Sequence, residues 1–173
     1  MEIVHVEEKL WTPIRTKPKK EKKLAEYCEA NKIVCYLPLR RSVKRYGRKT
    51  VEFFPPMFCG YIFCLLDNDI YNLLVRSNAV FFKVKIDEIS EKQLIIDLKN
   101  VKIFEEYSRQ KEVIVKPELT SGIQVKIANG PLCGIAGIVQ KRKSNIAVTV
   151  NIEMLGQSVT VEVDMGDVEV EKQ

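Results

Sequence analysis

Two clusters of side chains in this chain have the types and spacing for chemistry, and both are cationic. Lys17, Lys19, Lys20, Lys22 and Lys23 fall in one short stretch, and Arg40, Arg41, Lys44, Arg45, Arg48 and Lys49 in a second. Residues 9–49 hold 14 Lys or Arg against 3 acids, a net of +11, while the rest of the chain sums to −6. Charge concentrated in this way marks a local surface for a polyanion rather than a generally basic protein. Tyr46 lies inside the second cluster, where a ring among cations can stack on an unpaired base. The candidate nucleic-acid contacts are therefore Lys19, Lys20, Lys23, Arg40, Arg41, Lys44, Arg45, Tyr46, Arg48 and Lys49. The bland alternative is a solvated charged face, and +11 over so short a stretch weighs against it.

Other chemistry is hard to find. The five cysteines, Cys28, Cys35, Cys59, Cys64 and Cys133, are odd in number and contain no CxxC pair. Several sit in apolar runs and read as reduced, buried thiols. The single histidine, His5, reads as an exposed side chain near a terminus, and no cluster has metal-ligand spacing. No activated nucleophile or Walker-type loop is visible, so neither a catalytic residue, a cofactor nor a metal is expected. No apolar run approaches the ~20 residues of a membrane helix. The start of the chain lacks the pattern of a signal peptide. A cytoplasmic monomer is expected, with no membrane association.

The elements that must position these clusters fall into two textures. In the first, Leu10–Arg15 reads as a strand that Pro13 pushes towards a sheet edge. A helix over 17–31 follows, with Pro18 in its first turn and Asn31 as its stop. Its lysine-rich start opposes the helix dipole, which suggests that binding is served at some cost in stability. Ile33–Leu39 reads as a strand. The second cationic cluster reads as a hairpin turning at Gly47-Arg48, with Gly47 at the first central position of a type II′ turn. Gly60–Leu66 reads as a central strand, 67–78 as a helix, and Val80–Ile86 as a strand. A capping box at Ser90-Glu91-Lys92-Gln93 should open a last helix running to Tyr107. The order indicates an α+β domain over 1–107, an antiparallel sheet flanked by helices. Residues 108–116 read as a linker. In the second texture, 117–173, five short β-branched runs separated by turns indicate a small all-β barrel.

Two stretches carry a family resemblance. Gly122–Ile127 followed by Gly130-Pro131-Leu132-Cys133-Gly134-Ile135-Ala136-Gly137 resembles the KOW motif of an SH3-like barrel. In that motif Gly122, Gly130, Pro131, Gly134 and Gly137 shape the loop between two strands. Gly130 would take a positive φ, and Gly134 and Gly137 would let the loop lie close to a neighbouring backbone. The earlier Trp11, the helix near Pro18 and Glu21, and Cys35-Tyr36-Leu37-Pro38-Leu39 resemble the N-terminal domain of the NusG family. So does Phe58-Cys59-Gly60-Tyr61, with Cys59 where that family usually has proline. The resemblance covers nearly the whole chain in the family's domain order.

What the resemblance implies is a transcription elongation or antitermination factor. Its N-terminal domain would bind RNA polymerase at a helical hairpin of the β′ subunit through Trp11, Phe53, Phe54, Phe58 and Tyr61, with Phe63 as a weaker candidate. Phe58, at a strand entrance, is expected to be the surface anchor. The cationic clusters would touch upstream or non-template DNA. The KOW barrel would recruit a small-subunit ribosomal protein or Rho. The lysine-rich helix start and Cys35–Leu39 look most like the operon-specific paralogues of RfaH type. The alternative is a KOW-containing, ribosome-associated RNA-binding protein. Charge disfavours it, because residues 117–173 carry 5 basic and 7 acidic side chains, and affinity for ribosomal RNA rests largely on phosphate contacts.

Overall fold

The computed structural model describes residues 2–109, 113–117, 123–142, 145–163 and 168–170. The chain divides into two compact units, residues 1–39 with 55–96 and residues 40–54 with 97–173.

The first unit is built on a four-stranded antiparallel sheet. Its strands are β1 (Leu10–Thr16), β2 (Cys35–Tyr36), β5 (Tyr61–Leu66) and β6 (Val80–Lys83), in the order β2-β5-β1-β6. The helices α1 (Glu21–Ala30) and α2 (Asn68–Val75) lie between these strands in sequence. Alternation along β1 and β5 sends Ile14, Ile62, Cys64 and Leu66 to one face, where they pack with Leu24 and Cys28 of α1 and Leu74 of α2. Each large aliphatic side chain so buried contributes about 1.5–3 kcal/mol. The opposite face carries Trp11, Phe63 and Leu65, all buried. There Glu91, in the first turns of α3 (Glu88–Tyr107), accepts the Trp11 backbone N–H at 2.9 Å, and Oε2 of the same carboxylate lies 2.7 Å from His5 Nδ1. His5 is exposed, as expected, and is also tied to the buried Glu91 carboxylate.

Pro13 sits in a central strand, not at the sheet edge. Its carbonyl accepts the N–H of Val84, just past the end of β6. The nitrogen that lacks a hydrogen faces that same side, where the ladder has already ended, so little is lost. The first helix starts later than its lysines suggest. Lys19 takes a left-handed φ of 59°, Lys20 is the N-cap, and only Lys22 and Lys23 are on the helix. Pro18 therefore precedes the helix. Asn31 ends it as expected. The last helix is capped by Asp87, whose carboxylate accepts the Ser90 N–H at 2.8 Å, so Ser90 lies inside the first turn. That hydrogen bonding to Ser90 holds the Asp87 carboxyl below its ordinary pKa.

The second unit contains the hairpin of β3 (Ser42–Tyr46) and β4 (Lys49–Phe53), a sheet of its own. It also contains a six-stranded antiparallel sheet ordered β12-β8-β9-β10-β11-β7. Those strands are β7 (Val113–Pro117), β8 (Ile123–Ile127), β9 (Ala136–Arg142), β10 (Asn145–Ile152), β11 (Gln157–Val163) and β12 (Val168–Val170). Five match the runs read from sequence. The sixth, β7, lies in the stretch read as linker except for its last residue, Pro117, and pairs with β11 from Val113↔Val161 to Pro117↔Gln157. Three β-branched residues in a row outweigh the charged residues on either side once a partner strand is present. The Tyr107 hydroxyl at the end of α3 donates to the Glu162 carbonyl of β11 at 3.4 Å.

Three cysteines read singly from sequence converge. Cys35 and Cys64 face each other across β2 and β5, and Cys28 of α1 belongs to the same cluster. The Cys35 thiol draws the Cys28 pKa down, but Cys64 and burial outweigh it and push Cys28 up to about 12. Hydrogen bonding to Cys28, then burial, push Cys35 well above the ordinary thiol range. Neither forms an appreciable thiolate at neutral pH, and the thiolate is the nucleophile. A maleimide titration of the native protein at pH 7 should therefore consume two thiols, the exposed Cys59 and Cys133, with Cys28, Cys35 and Cys64 following only after denaturation. Fast loss of a third thiol, mapped by mass spectrometry to Cys28, would contradict this arrangement.

Candidate functional site

In the first unit, the segment from Phe58 to Tyr61 is held from both sides. Gly60 has φ of 82°, and its N–H donates to the buried Glu21 carboxylate at 2.6 Å. Its carbonyl accepts the Thr16 N–H at 2.8 Å. A β-carbon on Gly60 would fall 2.6 Å from Arg15 Nη1. The backbone angle favours glycine here, and a β-carbon would also displace the Arg15 guanidinium. Arg15 donates to the Cys59 carbonyl at 3.2 Å and lies 4.6 Å from the Tyr61 ring centroid, in cation–π contact. The cysteine at position 59 leaves this loop well defined.

The aromatic candidates separate by depth. Trp11 is 1% exposed and its indole N–H donates to the Val4 carbonyl at 2.8 Å. Phe58 is fully buried, its ring edge-on to Phe63 at 6.0 Å. The expectation of Phe58 as a surface anchor is corrected on this point. A position beside Cys59-Gly60 reads as exposed in sequence, but the turn directs its ring inwards against Phe63. Phe63 is buried as well. Tyr61 is half-buried. In the second unit, Phe53 is half-buried beneath the Lys44 ammonium, 5.4 Å from its ring, and Phe54 is 44% exposed. Arg15 was not picked out by sequence reasoning. Its placement four residues after Trp11 on an alternating strand was the available signal.

The hairpin in the second unit gathers most of the basic candidates. The pairing runs from Ser42↔Phe53 to Tyr46↔Lys49, leaving the two-residue turn Gly47-Arg48. Gly47 has φ of 59° while Arg48 is outside the left-handed region, as a type II′ turn requires. Directly opposed residues share a face, so Lys44, Tyr46 and Lys49 lie on one side and Arg45 on the other. Lys44, Arg45, Tyr46, Arg48 and Lys49 are all exposed, Tyr46 by 63%. Arg40 is half-buried, and Arg41 is ion-paired to Glu52, which takes part of its charge out of play. Lys19, Lys20 and Lys23, in the first unit, are exposed or half-buried around the start of α1.

In the six-stranded sheet, Gly130 has the positive φ expected, 81°. Gly137 makes the expected close approach, since a β-carbon there would meet the Thr149 carbonyl oxygen at 2.8 Å. Gly134 does not. It has open space around it, and its φ of 89° is what needs glycine. Pro131 is exposed in the loop, and Gly122 lies outside the described residues. Among the described residues, no group of acids, histidines or cysteines is arranged to hold a metal ion, and no helix is long and apolar enough to cross a membrane.

Comparison with solved structures gives the structure described as "Domain interaction in Thermotoga maritima NusG" at TM-score 0.53 and 20% identity, covering 95% of this chain and 98% of that one. At that identity the likeness is one of fold. The "MjSpt4:Spt5 complex" also matches in conformations A and B, both at 16% identity, with TM-scores of 0.29 and 0.27. Each covers 95% of this chain, and 99% and 98% of the matched chain, but at such TM-scores neither bears on the fold. No curated protein sequence matches significantly. The family model described as "Transcription termination factor nusG" matches residues 9–124, two-thirds of the chain, and with it the Trp11 strand, the Gly60 loop and the cationic hairpin. The chain belongs to the NusG family of transcription factors.

Proposed function

We propose that this protein is a transcription elongation and antitermination factor, of the operon-specific RfaH type, that binds RNA polymerase and nucleic acid together. The carrying observation is the exposed cationic hairpin, five exposed basic or aromatic side chains around one tight turn on a chain of this family. The polymerase contact, at the β′ helical hairpin, is assigned to Tyr61 of the first unit, and Phe53 and Phe54 of the second unit are separate candidates for touching polymerase. Trp11 and Phe58 act from the interior by holding the surface they underlie. The nucleic acid is upstream or non-template DNA, held by phosphate contacts that position without choosing sequence. As in other transcription factors of this kind, no catalytic step is involved.

The functional modules proposed are 1–107 for polymerase, 108–116 as connector, and 117–173 as a KOW barrel of SH3 type. Its slight negative charge favours a protein partner, a small-subunit ribosomal protein or Rho, over ribosomal RNA. The protein would work in the cytoplasm as a monomer. Titration of the labelled full chain with purified core RNA polymerase should give saturable binding in the range of a specific protein complex, competed by unlabelled chain. Absence of binding to core polymerase together with binding to small ribosomal subunits would replace this reading with the ribosome-associated one.

A further inference from the structure

Arg15 is the centre of a row that crosses three strands of the first unit. It pairs with Tyr61 on β5 and with Phe82 on β6, and residues directly opposed across antiparallel strands stand on one face. The row thus reads Tyr61, Arg15, Phe82. Phe82 is 44% exposed, and its neighbour Phe81, 69% exposed, has its ring 5.4 Å away. The guanidinium is held by two contacts, the Tyr61 ring and the Cys59 carbonyl, in space left open by Gly60. One of its five N–H donors is spent on Cys59, and no carboxylate lies within 4.0 Å of it among the described residues. A planar fork immobilised in this way has already lost its rotamer freedom, so a ligand that fits it pays little for order.

We propose that this row is a protein-docking surface whose partner presents a carboxylate flanked by apolar side chains, with Arg15 as the residue that sets specificity. The inference rests on the polymerase reading above and names the chemistry that the polymerase segment must carry. A phosphate would suit the fork equally well, but the surroundings favour protein. One face of the Tyr61 ring is already covered by the guanidinium, and the exposed Phe81 and Phe82 set apolar surface beside the fork. An arginine between aromatic rings is also the composition that dominates protein interfaces.

The test compares full-length wild type with Arg15→Glu, Arg15→Lys and Phe82→Ala, titrated against core RNA polymerase alone and, separately, against the scaffold DNA strands alone. The fluorescence melt of the single tryptophan, Trp11, checks that each variant is folded. Arg15→Glu should weaken polymerase binding about 30-fold or more, since it places like charges together. Phe82→Ala should weaken it about 5–10-fold. Arg15→Lys, which keeps the charge and loses the fork, should fall between wild type and Arg15→Glu. DNA binding should change little beside these effects. If wild type binds polymerase and Arg15→Glu and Phe82→Ala bind it equally well, the inference is overturned while the polymerase reading stands. If Arg15→Glu loses DNA affinity and keeps polymerase affinity, the row is a phosphate contact and the inference is overturned. If wild type itself fails to bind polymerase, the reading falls and the inference falls with it.

Discussion

Phe58→Ala is expected to destabilise the protein by about 3–5 kcal/mol, the range for truncating a fully buried aromatic ring. The ring is completely enclosed and meets Phe63 edge-on, so its removal forfeits both the apolar transfer term and the aromatic contact and leaves a cavity. Trp11, the only tryptophan, lies on the same face of the sheet as Phe63, and its emission follows unfolding of this unit directly. Urea titration monitored at Trp11 should show the midpoint fall with the slope unchanged. Any loss of polymerase binding should track the unfolded fraction. A variant within about 1 kcal/mol of wild type that nonetheless binds polymerase poorly would make Phe58 a contact residue after all.

The triple replacement of Arg45, Arg48 and Lys49 by alanine should have the opposite profile. All three side chains are exposed and none has an ion-pair partner among the described residues, so stability should stay within about 0.5 kcal/mol of wild type. Binding to a polymerase–nucleic-acid scaffold should instead lose salt dependence. Each phosphate contact contributes roughly 0.7–0.9 to the slope of log affinity against log salt, so three lost contacts lower it by about 2–3 units. The loss should be similar for scaffolds of different sequence, because the contacts are to the backbone. An unchanged slope together with unchanged antipausing activity would show the hairpin to be a solvated charged surface.

How legible these features were depended on what fixes them. The five strands over Ile123–Val170 and the Gly47 turn are set by local preference, β-branched alternation and a glycine that can take positive φ, and both were readable. Features set by partners distant in sequence were not. Glu21 opens α1 where its carboxylate meets the Gly60 N–H, 39 residues on, and the lysines before it gave no sign of that. Pro13 occupies a central strand because β6 stops beside it. β7 exists because β11 is there to pair with it. The same holds for the site. The exposed hairpin cations follow from charge pattern and turn chemistry. The depth of Phe58 and the row through Arg15 depend on strand register, which sequence does not print.

The distribution of thiols also turns the protein into its own spectroscopic ruler. Cys59 belongs to the first unit and Cys133 to the second, both are exposed, and the other three cysteines are buried or protonated. A dye pair or two nitroxide spin labels could be attached at these native positions with no engineered cysteine. Energy transfer or dipolar spectroscopy would then report the distribution of distances between the units, in the free protein and as polymerase, DNA or a barrel partner is added. A single narrow distribution would describe a fixed pairing, and a broad one that sharpens on a given addition would identify the ligand that sets it.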